Sequence, residues 1–562
     1  MASAPLPLLP WDKSSILSSK QSSDSYKSIQ KTAVDLFALG YPEYANQLIN
    51  TLWKYGHGLE FDYAFAEDTL RCIYYAWDAT DTIPSFAKNP SLEKILNGPI
   101  SGEQNEKRQR VVVEGWTDGL PQDMRERILK GSLRDEDLHI TTKRLRSLSD
   151  DSDLVPKTDY FTLAALVEVA VLAGRDDVAK ELVRHEMAER YRQLQEKSGD
   201  KYLEEYEFRK WQDRHLGLSQ SLRIWKILKD VALGKILQID EETLKRFVQE
   251  GCELMEKRFI HGPDRPHADK SIRQLLQILD QNYVAARKLD PESGRVMNVV
   301  GNTAPDTFLR PGVTEAQIEE LEKRLAQNPA PNAEDDKPML PNGKLPEDYK
   351  EFLRISNGYF PEGNPDSGLL FSQEEVGTAD CTFLCDDSMD LGFSLFPYDY
   401  TSIQGIDNIQ LGHFDCFTIG IGGDEGTVIL IPPTSVKPAI EAFEAAYAGA
   451  SEENKRIYER GALDLYGGVD ELRKLEWLCI KWEHWNTDQE TWGGFKAHLE
   501  YCVDVAIKER KTEEGKAEKR ERERRLRENI GQEDEAKGGK RKRKSSNKGE
   551  PNKATKVDAV EG

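Results

Sequence analysis

The sixteen residues from Leu345 to Phe360 constrain this chain more than any other stretch, because both ends of one helix are written into them. Pro346 suits a first helical turn, where a missing N–H costs nothing, and Glu347 and Asp348 complement the positive end of the helix dipole. Tyr349, Phe352, Leu353 and Ser356 share one face at i, i+3, i+4 and i+7, and Asn357-Gly358 supplies a left-handed stop. The run predicts a short amphipathic helix that must lay its aromatic face on a core.

Upstream, Thr314 and Gln317 have the T-x-x-Q spacing of a capping box, and Ile318, Leu321 and Leu325 follow as a stripe. Downstream, short aromatic or β-branched runs alternate with turn residues. Residues 368–371, 382–384, 393–396, 416–421 and 427–431 read as strands. Phe417 to Ile431 reads as one hairpin, with Gly422-Gly423-Asp424-Glu425-Gly426 as its turn. Residues 469–484 and 488–510 read as two further helices.

The order T-x-x-Q-I-x-x-L-E (314–322), L-P-x-D-Y-K-x-F-L (345–353), then N-G (357–358) resembles the opening of the SUKH superfamily domain. That domain is the type found in the fungal cell-wall assembly regulator and in bacterial immunity proteins, and the strand pair 417–431 is similar to the pair that follows the opening helices there. The match is best over 311–360 and extends through the strands to 433 and the helices to 508. The sequence departs from the family between the two opening helices, where Gln327 to Gly343 is rich in Pro, Asn and Asp and reads as a surface loop. The resemblance implies protein binding rather than chemistry: the fungal members act as scaffolds between signalling proteins and wall synthesis, and the bacterial ones neutralise toxins.

The first 290 residues have a different texture. Residues 28–39, 44–55, 68–77, 159–173, 178–194, 202–211, 220–233 and 241–258 all read as helices, with no alternating pattern to compete. Leu39-Gly40 followed by Ala45 and Leu48 has a second version in Ala173-Gly174 followed by Ala179 and Leu182. Both read as helix-glycine-helix corners, open to a repeat-like array or, preferably, an irregular helical domain. The fold class expected is α+β: a disordered 1–27 in which Trp11 and Ile16-Leu17 form a short anchor, an all-α domain over 28–290, a turn-rich linker over 291–312, a SUKH-like α+β domain over 313–508, and a charged, largely disordered tail over 509–562.

Charge divides the chain. Residues 508–562 carry 19 Lys and Arg against 13 Asp and Glu, whereas residues 1–507 carry 58 against 86, a net charge of −28. An acidic body repels polyphosphate, so nucleic-acid contact is expected only from the tail. Lys540, Arg541, Lys542, Arg543 and Lys544 form a compact basic run suited to an importin-type groove. The seven cysteines, scattered and odd in number, fit reduced thiols, and no uninterrupted apolar run suits a membrane span. A cytoplasmic protein that also enters the nucleus is the resulting expectation.

Candidate chemistry is sparse. Cys381, Cys385, His413 and Cys416 have zinc-like order, but their apolar neighbours favour core placement, so neither metal nor cofactor is expected. The turn glycines at 420–426 lack a phosphate-loop spacing, and Asp424 and Glu425 would repel phosphate. Asp380, Asp386, Asp387 and Asp390 form an acidic cluster that reads first as a solvated loop and second as a docking surface for a basic partner, with a hydrolase using Asp386, Asp387 or His413 as the competing class. Trp477, Trp482, Trp485 and Trp492 favour packing over a partner groove. The binding surface is therefore expected near Asp348, Tyr349, Asn357, Gly358, Tyr359, Asp386 and Asp387, on a non-enzymatic scaffold or regulator with protein partners.

Overall fold

The computed structural model describes residues 16–17, 22–56, 66–88, 122–129, 136, 167–171, 174–185, 218–219, 222–289, 306–327, 344–359, 369–380, 394–396, 406–407, 409, 411, 415–422, 426–483 and 486–544. The N-terminal part is built from α1 (Ser22–Leu39), α2 (Pro42–Gly56), α3 (Ala66–Thr80), α4 (Gln122–Leu129), α5 (Leu222–Val231), α6 (Leu233–Ile236) and α7 (Glu241–His261), with further helical segments at 167–171 and 176–185. Helix α1 is the hub, packing on α2, α3 and α5, while α7 closes over α2. Trp77 and Trp225 are both fully buried in this core, each holding a hydrogen bond: Trp77 to Asn46 Oδ1 (2.7 Å) and Trp225 to Ser219 O (2.7 Å).

The two glycine corners have the same hydrogen bonding. Gly40 N–H donates to Phe37 O (3.0 Å) and Tyr41 N–H to Leu36 O (2.9 Å); Gly174 N–H donates to Val171 O (2.9 Å) and Arg175 N–H to Ala170 O (2.8 Å). This is the Schellman pattern, and the φ values of +89° and +70° are the left-handed geometry that favours glycine. Ala45 and Ala179 start the next helix in each case and are buried.

The C-terminal part is a three-layer sandwich. Strands β1 (Leu369–Leu370), β2 (Gly377–Asp380), β3 (Asp415–Gly422), β4 (Gly426–Ile431), β5 (Leu478–Glu483) and β6 (Asn486–Trp492) form one antiparallel sheet. The four longer strands follow the order β3-β4-β5-β6, and the short β1 and β2 share the outer edge of β3. Gly422 pairs with Gly426, so the two arms of the expected hairpin are paired up to its ends, while residues 423–425 lie outside the described residues. A register shift between Thr418 and Gly420 bulges β3.

Along the central strands, alternate residues enter different cores. Val428, Leu430 and Cys479 join one with α8 (Ile272–Leu289), α9 (Glu315–Gln327), α10 (Glu347–Ile355) and α14 (Phe495–Lys544). Ile429, Ile431, Leu478 and Ile480 join the other with α11 (Pro433–Gly449), α12 (Glu452–Tyr466), α13 (Val469–Arg473) and Leu395-Phe396.

Three expectations are corrected here. First, residues 478–483 and 486–492 are strands, not helix. The short run Leu478-Cys479-Ile480 of β5 is too brief for periodicity to separate strand from helix, edge strand β6 carries no apolar run at all, and Gly494 at φ +126° marks where the final helix can begin. Second, helix α8 belongs to the C-terminal core, since Ile272, Leu275, Leu276, Leu279 and Tyr283 pack with Tyr359 and Val503; that core therefore starts upstream of 291–312. Third, helix reaches into both segments expected to be disordered: α1 begins at Ser22, and ahead of it Ile16-Leu17 docks as the expected anchor. Ile16 is fully buried, its carbonyl accepts from Ser25 Oγ (3.0 Å), and Leu17 O accepts from Asp264 N–H (2.6 Å). At the other end α14 continues to Lys544, because Glu, Lys and Arg are good helix formers and pair along it: Lys516 with Glu513 and Arg510 with Glu514. Among the other strand expectations, 382–384 lie outside the described residues, and β2 falls at 377–380.

Candidate functional site

The predicted opening helices are capped as their spacing requires. Gln317 Oε1 accepts from Thr314 N–H (2.9 Å) while Thr314 Oγ1 accepts from Gln317 N–H (3.4 Å), closing the box reciprocally. Pro346 occupies the N-cap of α10 rather than its first turn, at φ −64° and ψ 143°. Tyr349, Phe352 and Leu353 are all fully buried, and the rings of Tyr349 and Phe352 lie 5.0 and 5.3 Å from that of Phe495, the first residue of α14.

The five predicted binding residues of this corner are occupied in building it. Asp348 Oδ2 accepts the backbone N–H of Lys496 (2.9 Å) and Oδ1 accepts that of Tyr349 (2.8 Å), so one carboxylate caps α14 from a neighbouring helix. Burial raises its carboxyl above the usual aspartate range, against the lowering effect of those backbone N–H groups. Gly494 supplies the φ of +126° that leads into α14, and a Cβ there would make only an ordinary 3.6 Å contact with Asp348 Oδ2. Asn357 Oδ1 accepts from Gln373 N–H (2.7 Å), and buried Gly358 holds φ +87°. Tyr359 is fully buried and exchanges both backbone hydrogen bonds with Leu370 (2.9 and 3.0 Å). The expectation of a surface made by Asp348, Tyr349, Asn357, Gly358 and Tyr359 is thus corrected: hydrophobic pattern and capping geometry draw them inward or tie them to neighbouring backbone. Asp386 and Asp387 lie outside the described residues, between Asp380 at the end of β2 and Ser394.

What sequence reasoning missed is a polar seam joining the two parts of the molecule. Arg258 Nη1 of α7 and Asp464 Oδ1 of α12 meet at 2.6 Å, both essentially inaccessible to solvent. Arg460 Nη1 of α12 donates to Tyr26 Oη of α1 at 2.8 Å. Gly262 sits against Leu463, where an added Cβ would be 3.1 Å from its carbonyl oxygen. Further along, Arg265 grips buried Glu500 of α14 with two nitrogens, His267 Nε2 lies 3.3 Å from Asp504, and Lys496 Nζ donates to Ala268 O (2.8 Å). Burial raises the Asp504 carboxyl, Glu500 adds to the rise, and His267 opposes it. One signal was present in the sequence: Leu244, Val248, Gly251, Met255 and Arg258 form a single buried stripe on α7, so Arg258 is a charge at a core position.

The described groups do not present an activated nucleophile at the Cys–His contact on α14. Cys502 Sγ lies 3.6 Å from His498 Nε2, but burial pushes the thiol up to about 12, so it stays protonated at neutral pH. Cys416 is buried in the core beneath α11 and α12, as its apolar surroundings predict, while Cys381, Cys385 and His413 lie outside the described residues. Among the described residues no group of three or more His, Cys, Asp or Glu side chains converges on a metal position. Trp492 is buried, and Trp477 and Trp482 pack partly buried against the two cores; Trp485 is outside the described residues. No described helix is long and apolar enough to cross a membrane. Comparison with protein families, curated proteins and solved structures gave no match to this chain.

Proposed function

We propose that this chain is a non-enzymatic protein-binding scaffold or regulator of the kind the SUKH resemblance implies, acting inside the cell in wall or signalling control. The observation that supports it most is that the segments carrying the resemblance share one core: Leu321 of α9, Tyr349 and Leu353 of α10, and Phe417 and Leu430 of the hairpin are packed together. Local motifs matched one by one are weak; the same motifs converging in space are stronger.

Because the corner residues are taken up by the fold, the docking surface moves to the acidic connection containing Asp386 and Asp387, on a body with 58 Lys and Arg against 86 Asp and Glu over residues 1–507. A partner presenting a basic segment is the complementary chemistry. The test is affinity capture from native cell extract with the full chain and an Asp386→Lys, Asp387→Lys variant. Stoichiometric partners of the parent lost from the variant support the reading. An identical captured set from both removes the acidic surface, and no stoichiometric partner from either removes the scaffold reading and leaves a search for turnover. Point variants serve better than truncation at residue 290, since that cut removes α8 from the core it helps to build.

A further inference from the structure

The chain from Gly262 to Ser271 links α7 to α8 and is fastened along one side of α14. Its sequence, G-P-D-R-P-H-A-D-K-S, has no large apolar side chain, and Gly262 is its one buried position. Polar contacts therefore hold it in place. Both ends are closed independently of those contacts. Gly262 at φ +76° ends α7, and Ser271 opens α8 with a reciprocal box, in which Gln274 Oε1 accepts from Ser271 N–H (2.9 Å) and Ser271 Oγ accepts from Gln274 N–H (3.3 Å). The strap can lift away without unwinding either helix.

Its three attachment points on α14 are Lys496, Glu500 and Asp504, which share one face at i, i+4 and i+8. Lys496 Nζ donates to Ala268 O (2.8 Å), Arg265 holds Glu500 with two nitrogens (3.0 and 3.1 Å), and His267 Nε2 lies 3.3 Å from Asp504 Oδ1. Most charges nearby cancel in pairs: Lys257 of α7 with Asp264, Arg265 with Glu500, and Lys270 with Asp269. His261 of α7, Arg273 of α8 and Lys508 of α14 are exposed on the flanking helices. That leaves Asp504, whose ion-pair partner among the described residues is His267. Lysine and arginine keep their charge through neutral pH, whereas histidine is the side chain that changes its own between pH 5 and 8. A protonated imidazole attracts the Asp504 carboxylate; a neutral one leaves that carboxylate close to Glu500 without a compensating charge. Burial raises the Asp504 carboxyl, against the lowering by His267, and a group raised in the closed state loses its contribution as pH rises. Both members of the pair thus weaken the contact in the same direction.

We propose that residues 262–271 form a pH-sensitive latch on α14, closed by protonated His267 on Asp504 and loosened between pH 6 and 8. The Arg258–Asp464 and Arg460–Tyr26 contacts lie outside the latch, so opening uncovers the Lys496, Glu500 and Asp504 face while the two parts of the molecule stay joined. Hydrogen exchange of the full chain, read on peptides covering 262–271 and corrected for the intrinsic rate at each pH, measures the opening. Protection should fall about threefold from pH 6 to pH 8, the size of effect a half-exposed ion pair gives. His267→Gln should show the parent's pH 8 protection at both values, and His267→Lys the parent's pH 6 protection at both. Asp504→Asn should also lose the pH dependence. Equal protection of the parent at pH 6 and pH 8 overturns the proposal, as does an undiminished fall in His267→Gln. A fall of the same size in peptides from β4 and β5 assigns the loss to global unfolding and overturns it too.

Discussion

The N-terminal helices and the C-terminal sandwich bury their apolar residues by different rules. In the helical part each element contributes one stripe to one core, as α7 does with Leu244, Val248 and Met255. In the sandwich, β4 divides Val428, Ile429, Leu430 and Ile431 between two cores, so adjacent residues serve opposite layers. A stripe announces itself through its spacing; a strand buried on both faces does not. Between the two parts lies a seam that is largely polar, in which buried charges set how the parts meet.

The largest effect that would break this contrast is expected at the seam. Arg258→Ala removes the guanidinium from buried Asp464 and should cost about 3 to 5 kcal/mol, whereas Arg258→Met with Asp464→Leu should be close to neutral. Urea unfolding of the two variants measures both. If the double variant is as damaged as the single one, the pair contributes more than mutual charge compensation. If Arg258→Ala is harmless, the seam does not hold the parts together.

Slightly smaller is the effect expected at α10. Tyr349→Ala should lose about 3 kcal/mol by opening a cavity beneath Phe352 and Phe495, but Tyr349→Phe should be neutral or mildly stabilising, because the buried Tyr349 hydroxyl has no hydrogen-bond partner among the described residues. Thermal melts of the pair decide between packing and polar roles, and a destabilised Phe variant would contradict the burial argument. Asp348→Ala should cost about 1 kcal/mol by uncapping α14, with amide exchange accelerating first at Lys496.

In the helical part the comparable local test is at the corners. Gly40→Ala and Gly174→Ala should each destabilise by about 1 kcal/mol through the positive φ, since among the described residues a Cβ at Gly174 meets nothing within 4 Å and one at Gly40 meets an ordinary contact with Ala232. Equal penalties would support equivalent corners. A much larger penalty at Gly40 would mean that its closeness to Ala232 matters more than its backbone.

How much was legible follows from the range of each signal. The Thr314–Gln317 box, the Gly422–Gly426 pairing and both glycine corners depend on residues a few positions apart, and each is found where its spacing places it. Residues 478–492 were misread because their neighbours, β4 and the two helical layers, come from elsewhere in the chain. The corner residues were misassigned as a binding surface for a related reason. A Tyr and an Asp on a short helix look accessible until α14, more than 130 residues later, supplies Phe495 and the Lys496 N–H that occupy them, and Asn357 looks so until Gln373 N–H meets it. Arg258 was legible in principle, being one charge in an apolar stripe, but its partner Asp464 was not.

The smallest effect expected concerns pH, and its sign separates buried from exposed carboxylates. Asp348 has its carboxyl raised by burial, so the native chain keeps that proton to higher pH than the unfolded chain does, and its contribution to stability falls as pH rises through the raised value. Glu315 and Glu347, exposed beside Arg354, are lowered by hydrogen bonds from its guanidinium; their contribution is present above the ordinary glutamate value and is lost as pH falls through the lowered one. Between the ordinary aspartate and glutamate values, about pH 4 to 4.5, the two terms therefore oppose each other. Removing the first with Asp348→Asn should make stability climb more steeply with pH, and removing the second with Arg354→Met should flatten the climb. Urea midpoints taken across that range test both signs. Parallel curves for the parent and Asp348→Asn would mean that the backbone N–H groups of Tyr349 and Lys496 already offset the desolvation of this carboxylate, leaving its cap as its whole contribution to the corner.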